Sequence, residues 1–509
     1  MNKVIIDGKN LDLESYINVV RRGLKISLSK ESEFKVQKSR EYVEDIIESK
    51  EVIYGITTGF GRFSDVMINA SETKKLQRNL IISHSCGVGN PLPEEAVRGI
   101  ILLRINALAS GYSGIRLSTM NTLIDMLNKG VHPVIPEKGS LGASGDLAPL
   151  AHMVLVMIGE GEAFYKEERL PGKIAMEKAG IDIIELLSKE GLALINGTQV
   201  MTAIGALAIY DSIMLSKASE ISAALTIEAL NGITDAFDPK IHYVRGQKGQ
   251  ISSANNLLKI LDKSSLTSKQ GELRVQDAYS LRCTPQIHGA SKDALYYIKD
   301  KIEIEMNAVT DNPLIFIEEE KVISGGNFHG QPIALPLDFL AIALSELANI
   351  SERRTERLVN PSLSNGLPPF LIKNGGVNSG FMLVQYSAAS LVSENKVLSH
   401  PASVDSIPSS ANQEDHVSMG TIAARKAKEI LGNAQKVISM EILTACQAID
   451  LRGNKGLGVG TRIAYDIVRS EVSELTEDRI MYIDIEKVEK LVLSEEIVKS
   501  VEDKIGKIL

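Results

Sequence analysis

Apolar positions along this chain recur mostly in steps of three and four, the spacing of helices that bury one face. Glu94–Leu108 carries that pattern, and Thr198–Leu230 is a long run of Ala, Ile and Leu without proline. Two further helices are predicted over Asp338–Leu358, ended by Asn360-Pro361, and over Ser379–Ser399, ended before Pro401. The clearest pattern lies over 415–450. There Ala423, Ala427, Ile430, Ala434 and Val437 mark the seam of a helix packed lengthwise on another. Residues 1–90 read differently, with short apolar runs at Val4–Ile6 and Val52–Tyr54 between polar helical stretches. The expected fold is mainly α: a long-helix bundle with a smaller mixed N-terminal region. Its expected parts are 1–195, a central bundle over 196–455 and a polar helical cap over 456–509, acting as one functional unit.

Composition removes several function classes. The formal net charge of −8 is spread without long acidic or basic blocks, which argues against nucleic acid or an anionic membrane as the main partner. Cys86, Cys283 and Cys446 are scattered and odd in number, so no disulfide framework is expected and a reducing cytoplasm suits them. The first sixteen residues lack an apolar core long enough for a signal peptide. The most apolar stretch, Ile100–Leu103, is flanked by Arg98 and Arg104, so no membrane span is expected.

Metal and nucleotide chemistry find no support. The closest two histidines in sequence, His400 and His416, are sixteen apart, and no HExxH or Cys/His cluster occurs. The chain has no GxxxxGK[ST] phosphate loop, and its glycine-rich stretches do not follow a strand in a βαβ unit. No metal and no external cofactor are expected.

The chemistry concentrates between His132 and His152. Pro133 and Pro136 fix an extended entry, while Gly139, Gly142 and Gly145 permit a tight backbone. A helix is predicted to start at Leu147, with Asp146 as its N-cap and Pro149 in its tolerated first turn. A loop this tight lets the Gly145 nitrogen approach the Ala143 carbonyl. Loss of two waters, one from Ser144, then leaves an imidazolone with an exocyclic methylene, a strong electrophile. The tripeptide alone is weak support, since Ala109-Ser110-Gly111 repeats it in this same chain.

The whole string Gly139-Ser-Leu-Gly-Ala-Ser-Gly-Asp-Leu-Ala-Pro-Leu150 resembles the signature of the aromatic amino acid ammonia-lyase family. That family's prosthetic group is 4-methylideneimidazol-5-one (MIO). Tyr54–Gly61, Asn196–Gln199, Tyr279–Arg282, Asp311–Pro313 and Asn412–His416 fall in the family's order, over about residues 50–420. Thr57 departs from it, standing where the family commonly has asparagine. The resemblance implies a fold of the fumarase/aspartase-like lyase type, a homotetramer, and an MIO group formed from Ala143, Ser144 and Gly145.

It also implies roles. Tyr54 is the candidate base, which at neutral pH asks a phenol titrating near 10 to shift by roughly three units, about 4 kcal/mol. Arg282 has the planar fork that pairs bidentately with a substrate carboxylate, although a structural salt bridge is the bland reading. Tyr279 resembles a second active-site tyrosine. Asn196 resembles the residue that hydrogen-bonds the MIO ring oxygen or the substrate, and by itself reads as a helix N-cap. Gln276, Asn312 and Phe328 are candidate pocket residues on the same ground.

Substrate choice rests on His84 and Glu414. Ser83-His84 stands where phenylalanine-specific relatives carry Phe-Leu and tyrosine-specific ones His-Leu, and Glu414 where both lack a carboxylate. A histidine side chain offers an N–H donor and a nitrogen acceptor, which a His and a Glu can read. A phenyl ring would leave the carboxylate buried and unpaired, at several kcal/mol. The favoured substrate is therefore L-histidine, with loss of ammonia. An MIO-dependent aminomutase, a lyase for another aromatic amino acid, a fumarase-like eliminase and an inactive helical scaffold remain open.

Overall fold

A computed structural model describes residues 3–49, 53, 55–56, 58 and 72–509. The chain opens with β1 (Val4–Ile6), α1 (Leu13–Val20), β2 (Ile26–Leu28), α2 (Lys30–Ser49) and α3 (Thr73–His84). Then come β3 (Val88–Pro91), α4 (Glu94–Ala109), α5 (Leu117–Lys129), β4 (Val131–Pro133), β5 (Pro136–Lys138) and α6 (Leu147–Met157). β6 (Glu162–Tyr165), β7 (Glu168–Pro171), α7 (Gly172–Lys178) and α8 (Glu190–Ile195) lead to the long α9 (Gln199–Ala229). After α10 (Pro239–Arg245), α11 (Lys248–Ile260) and α12 (Tyr279–Arg282) follow α13 (Thr284–Met306), the hairpin β8 (Leu314–Phe316) and β9 (Lys321–Ile323), and α14 (Gln331–Val359). α15 (Met382–Leu398), α16 (Gly420–Arg452), α17 (Val459–Glu471), α18 (Met481–Leu493) and α19 (Glu496–Ile505) complete the chain. The mainly α reading holds.

Residue contacts group the chain into two compact units. The first comprises 1–207, 299–338 and 401–425, the second 208–298, 339–400 and 426–509. Four of the five dividing points fall within α9, α13, α14 and α16, and the fifth follows α15 at 400/401. The described strands are short: a parallel pair β1–β2, an antiparallel pair β3–β5, the three-stranded β4-β6-β7 and the β8–β9 hairpin.

In the first unit α4 is buried all round, from Ala96 to Ala109. Its arginines are accommodated by partners: Arg98 donates to the Val19 and Val20 carbonyls, Arg104 to the Ala193 and Asn196 carbonyls. In the second unit Arg354 is fully buried against Glu441, whose carboxylate also accepts from Thr226 Oγ1 (2.8 Å) and Ser351 Oγ (2.7 Å). Helices α9 and α14 are long and apolar enough to cross a membrane, yet their most apolar windows are 78% and 67% buried within the protein, as core helices are.

Three local expectations need correction. Asp146 precedes α6 without capping it; its carboxylate accepts instead from the Val200 and Met201 N–H groups (2.9 Å each), so it caps α9. Those first-turn donors are buried and have no partner within their own helix, which outweighs any gain at α6. α14 starts at Gln331, ahead of the predicted Asp338, with Pro336 inside it. Burial of Ile333, Ala334 and Leu337 outweighs the one hydrogen bond that proline removes. α16 starts at Gly420, because residues 415–419 belong to a loop in which Val417 N–H donates to Ser406 Oγ and Met419 is left-handed at φ 55°.

Candidate active site

Ala143-Ser144-Gly145 sits in a turn that closes on itself. Gly142 and Gly145 bridge across it with φ of 78° and 77°, and Ser144 between them is left-handed too, at 51°. Space demands glycine here as much as the dihedrals do. A Cβ on Gly145 would run into the Gly197 carbonyl, and one on Gly142 into the Ser418 hydroxyl. Two backbone bonds stitch the turn to the Asn196-Gly197 segment: Gly197 N–H donates to Ser144 O (3.3 Å) and Asp146 N–H to Gly197 O (2.7 Å).

Beneath it lies buried polar chemistry. Asp146 also accepts from Ser140 Oγ (2.8 Å) and Thr421 Oγ1. Burial holds its pKa above the ordinary carboxylate range, and these donors oppose that shift. Arg104 braces the Ala193–Gln199 stretch, donating to Ala193 O (2.6 Å), Asn196 O (2.9 Å) and the Gln199 side chain. Burial lowers its pKa to about 10, with Asp311 and Asp146 pulling the other way, so it stays charged at neutral pH.

Asn196 closes α8 rather than opening a helix. Its Nδ2 donates to Asn312 O at 3.1 Å. A carbonyl can only accept, so this contact fixes the amide orientation. Asn196 Oδ1 is buried without a hydrogen-bond partner among the described residues. Asn312 is itself held: its side chain bonds Ser324 Oγ (3.1 Å) and Gly325 N (2.7 Å), and its N–H meets Asp311, which pairs with buried Lys189 at 2.6 Å.

Glu414 is the long-range partner of the tripeptide. Ser144 Oγ donates to Glu414 Oε1 at 3.3 Å and Ser409 Oγ to Oε2 at 3.0 Å. His84 ends α3 with Nδ1 at 3.0 Å from Ser83 Oγ. Burial lowers the His84 pKa, opposed by a backbone bond at Leu80 and by the charge of Glu414, so the two side chains feel each other. His84, Cys86, Ser140, Ala143, Gly145 and Ser409 are among the residues lining a cavity of about 280 Å³, near the lower end of small-molecule sites.

Tyr279, Arg282 and Gln276 belong to the second unit. Arg282 lies with its guanidinium 4.6 Å from the Tyr279 ring centroid, so the pair does share one face of α12. Arg282 Nε is buried without a hydrogen-bond partner, while Tyr279 and Gln276 are exposed. Phe328 is half-buried in the first unit, before α14. Tyr54 lies outside the described residues. Among the described residues no group of His, Cys, Asp and Glu is placed to hold a metal ion.

Residues 11–470 match the aromatic amino acid lyase family. The chain belongs to that family. This aromatic amino acid lyase is 65% identical to the histidine ammonia-lyase of Alkaliphilus oremlandii over 502 residues, 99% of each chain. Histidine ammonia-lyase from Trypanosoma cruzi superposes with a TM-score of 0.92 at 42% identity, covering 99% of this lyase and 95% of that chain. Tyrosine aminomutase from Streptomyces globisporus superposes with a TM-score of 0.95 at 39% identity over 99% of each. Backbone likeness alone does not rank a lyase above an aminomutase.

Sequence reasoning missed Ser409, Arg104, Gly197 and the Lys189–Asp311 pair. Arg104 carries no sequence signal beyond a charge among apolar neighbours, and Lys189, between Ser188 and Glu190, carries none. Gly197, next to Asn196 in a quoted motif, was within reach.

Proposed function

We propose that this lyase converts L-histidine to trans-urocanate and ammonia, using an MIO group that it forms from Ala143-Ser144-Gly145. One observation carries the substrate: Glu414 lies against the tripeptide, 3.3 Å from the Ser144 hydroxyl that leaves as water when the group forms, and its charge is felt by His84. A carboxylate and an imidazole satisfy the donor and acceptor of a histidine ring, whereas a phenyl ring offers them neither. Support for the MIO group is the left-handed turn with no room for a Cβ at Gly142 or Gly145, and the Asn196 Oδ1 beside it that has no partner among the described residues. Such a group supplies an electrophile for the amine, which is otherwise a poor leaving group.

The chain's own residues supply the rest. Gly197 N–H holds Ser144 O, where a donor stabilises negative charge. Asn196 Oδ1 offers an acceptor to a substrate N–H. Arg282 takes the carboxylate through its fork, with Tyr279 stacked on it, and Tyr54 removes the β-proton; both roles rest on the resemblance. The resemblance also implies pocket roles for Gln276 and Phe328.

Assembly as a homotetramer is part of the proposal. Tyr297 of α13 and Phe339 of α14 lie 6.3 Å apart, ring centroid to centroid, and both are more than 40% exposed. Tyr296, Ile342 and Tyr386 add further exposed apolar surface on α13, α14 and α15, as helices that bundle between subunits would. The free thiols, with Cys86 exposed, support a reducing cytoplasm.

Purified enzyme given histidine, phenylalanine and tyrosine side by side tests the reading. Urocanate absorbance from histidine alone is expected, with an alkaline pH optimum. Intact mass should fall short of the sequence by two waters, and borohydride should abolish turnover. A β-amino acid product would favour the aminomutase reading, for which the Streptomyces globisporus superposition speaks.

A further inference from the structure

The loop that carries Glu414 is unusual in its backbone. Ser409 N–H donates to Glu414 O (2.9 Å) and Glu414 N–H to Ser409 O (3.3 Å), closing a narrow bridge. Between them Ser410, Ala411 and Asn412 are all left-handed, with φ of 51°, 54° and 66°, and none is glycine. Such a turn persists only where its surroundings over-determine it. Here they do. His329 Nδ1 accepts from Gln331 N–H, which leaves Nε2 as the donor to His416 O at 3.1 Å. Val417 N–H is taken by Ser406 Oγ, and Met419 N–H by Leu141 O.

With the backbone held by these contacts, the Ser409 hydroxyl does one further thing: it donates to Glu414 Oε2 at 3.0 Å, whereas the Ser144 hydroxyl on Oε1 leaves as water when the MIO group forms. The terminal torsion of a glutamate is soft and roughly two-fold, so the Ser409 hydroxyl that remains is what sets its rotation. We infer that Ser409, which lines the cavity, is a positioning residue that fixes the Glu414 carboxylate beside the tripeptide, and through it the preference for an imidazole side chain over a phenyl one. The inference rests on the histidine reading.

Ser409→Ala, Ser409→Thr and Glu414→Ala, each as full-length enzyme, test it. A bond from a hydroxyl to an ionised acceptor corresponds to about a tenfold to hundredfold effect. In Ser409→Ala we expect kcat/KM for L-histidine to fall by that factor, mostly through KM, since ring binding is lost alike from ground and transition states. The KM or inhibition constant of L-phenylalanine should stay within about twofold. Ser409→Thr, which keeps the hydroxyl, should recover histidine KM to within about threefold. Thermal midpoint and the two-water mass difference should match the parent.

Unchanged histidine KM in Ser409→Ala, beside a Glu414→Ala that has lost histidine turnover, overturns the inference alone. So does an equal loss toward both amino acids, failure of threonine to rescue, or loss of the mass difference. Parent-like turnover in Glu414→Ala overturns the substrate reading and this inference with it.

Discussion

Gly145 shows how one residue type answers to two physical demands. Its φ of 77° is costly for any L side chain, and the space a Cβ would need is filled by the Gly197 carbonyl. Gly145→Ala is therefore expected to open the turn, so that the protein keeps its full sequence mass and shows no turnover; intact mass spectrometry reads the first and urocanate formation the second. Asn196 is the complementary case, a residue whose importance lies in an atom left over. With Nδ2 tied to a carbonyl, Oδ1 remains as an acceptor that nothing in the described protein uses. Buried polar atoms without partners are rare because each costs about 1–3 kcal/mol, so they mark places where a ligand completes the bonding.

Elements are coupled here by side chains that cross between them. Asp146 follows the tripeptide in sequence yet holds the first turn of α9, while Thr421 of α16 and Ser140 also donate to it. The turn and the start of a 31-residue helix are thereby one structural object. Asp146→Ala should leave the buried Val200 and Met201 N–H groups unpaired, while Thr421 still bonds Ser140, and lower stability by about 3 kcal/mol, read as a fall in thermal midpoint. Arg354 and Glu441 make a comparable tie in the second unit. Arg354→Met alone strands a buried carboxylate, and a loss of about 3–5 kcal/mol is expected. Adding Glu441→Leu should restore much of that loss, since desolvation offsets most of what a buried pair contributes; calorimetry of the single and double variants separates the two outcomes.

Across the whole molecule, acid lability follows from its histidines. Burial pushes His132 down to about 4, with Glu94 opposing and Arg98 reinforcing the shift. His288, fully buried and facing Arg354 and Lys292, is also held well below its usual range. A histidine whose folded pKa is depressed favours the folded state above its unfolded pKa, near 6.5, and that contribution is lost as pH falls through the folded value. For His132 the window runs from about pH 6.5 to about 4, and the contribution reaches about 3 kcal/mol. Thermal midpoints measured across that window should fall steadily, and less steeply in His132→Gln; parallel slopes would assign the lability elsewhere.

Much of this protein is legible in its sequence because the signals are local. Helical periodicity announces α4, α9, α15 and most of α16, and the strict spacing of glycines announces a turn at 142–145. The motifs around Asn196, Glu414 and Arg282 are contiguous strings, so a linear reading finds them. Partnership across the chain is another matter. Ser144 meets Glu414 across 270 residues and Asn196 meets Asn312 across 116, and no periodicity encodes either. Asp146 read as the cap of the helix that follows it, and capping α9 instead depends on where α9 is brought. Ser409 shows no signal at all, since its approach to Glu414 needs three left-handed residues that are not glycine. Local propensity and pattern set what each segment becomes, whereas the pairing of distant polar atoms is decided only when burial leaves them no water to bond instead.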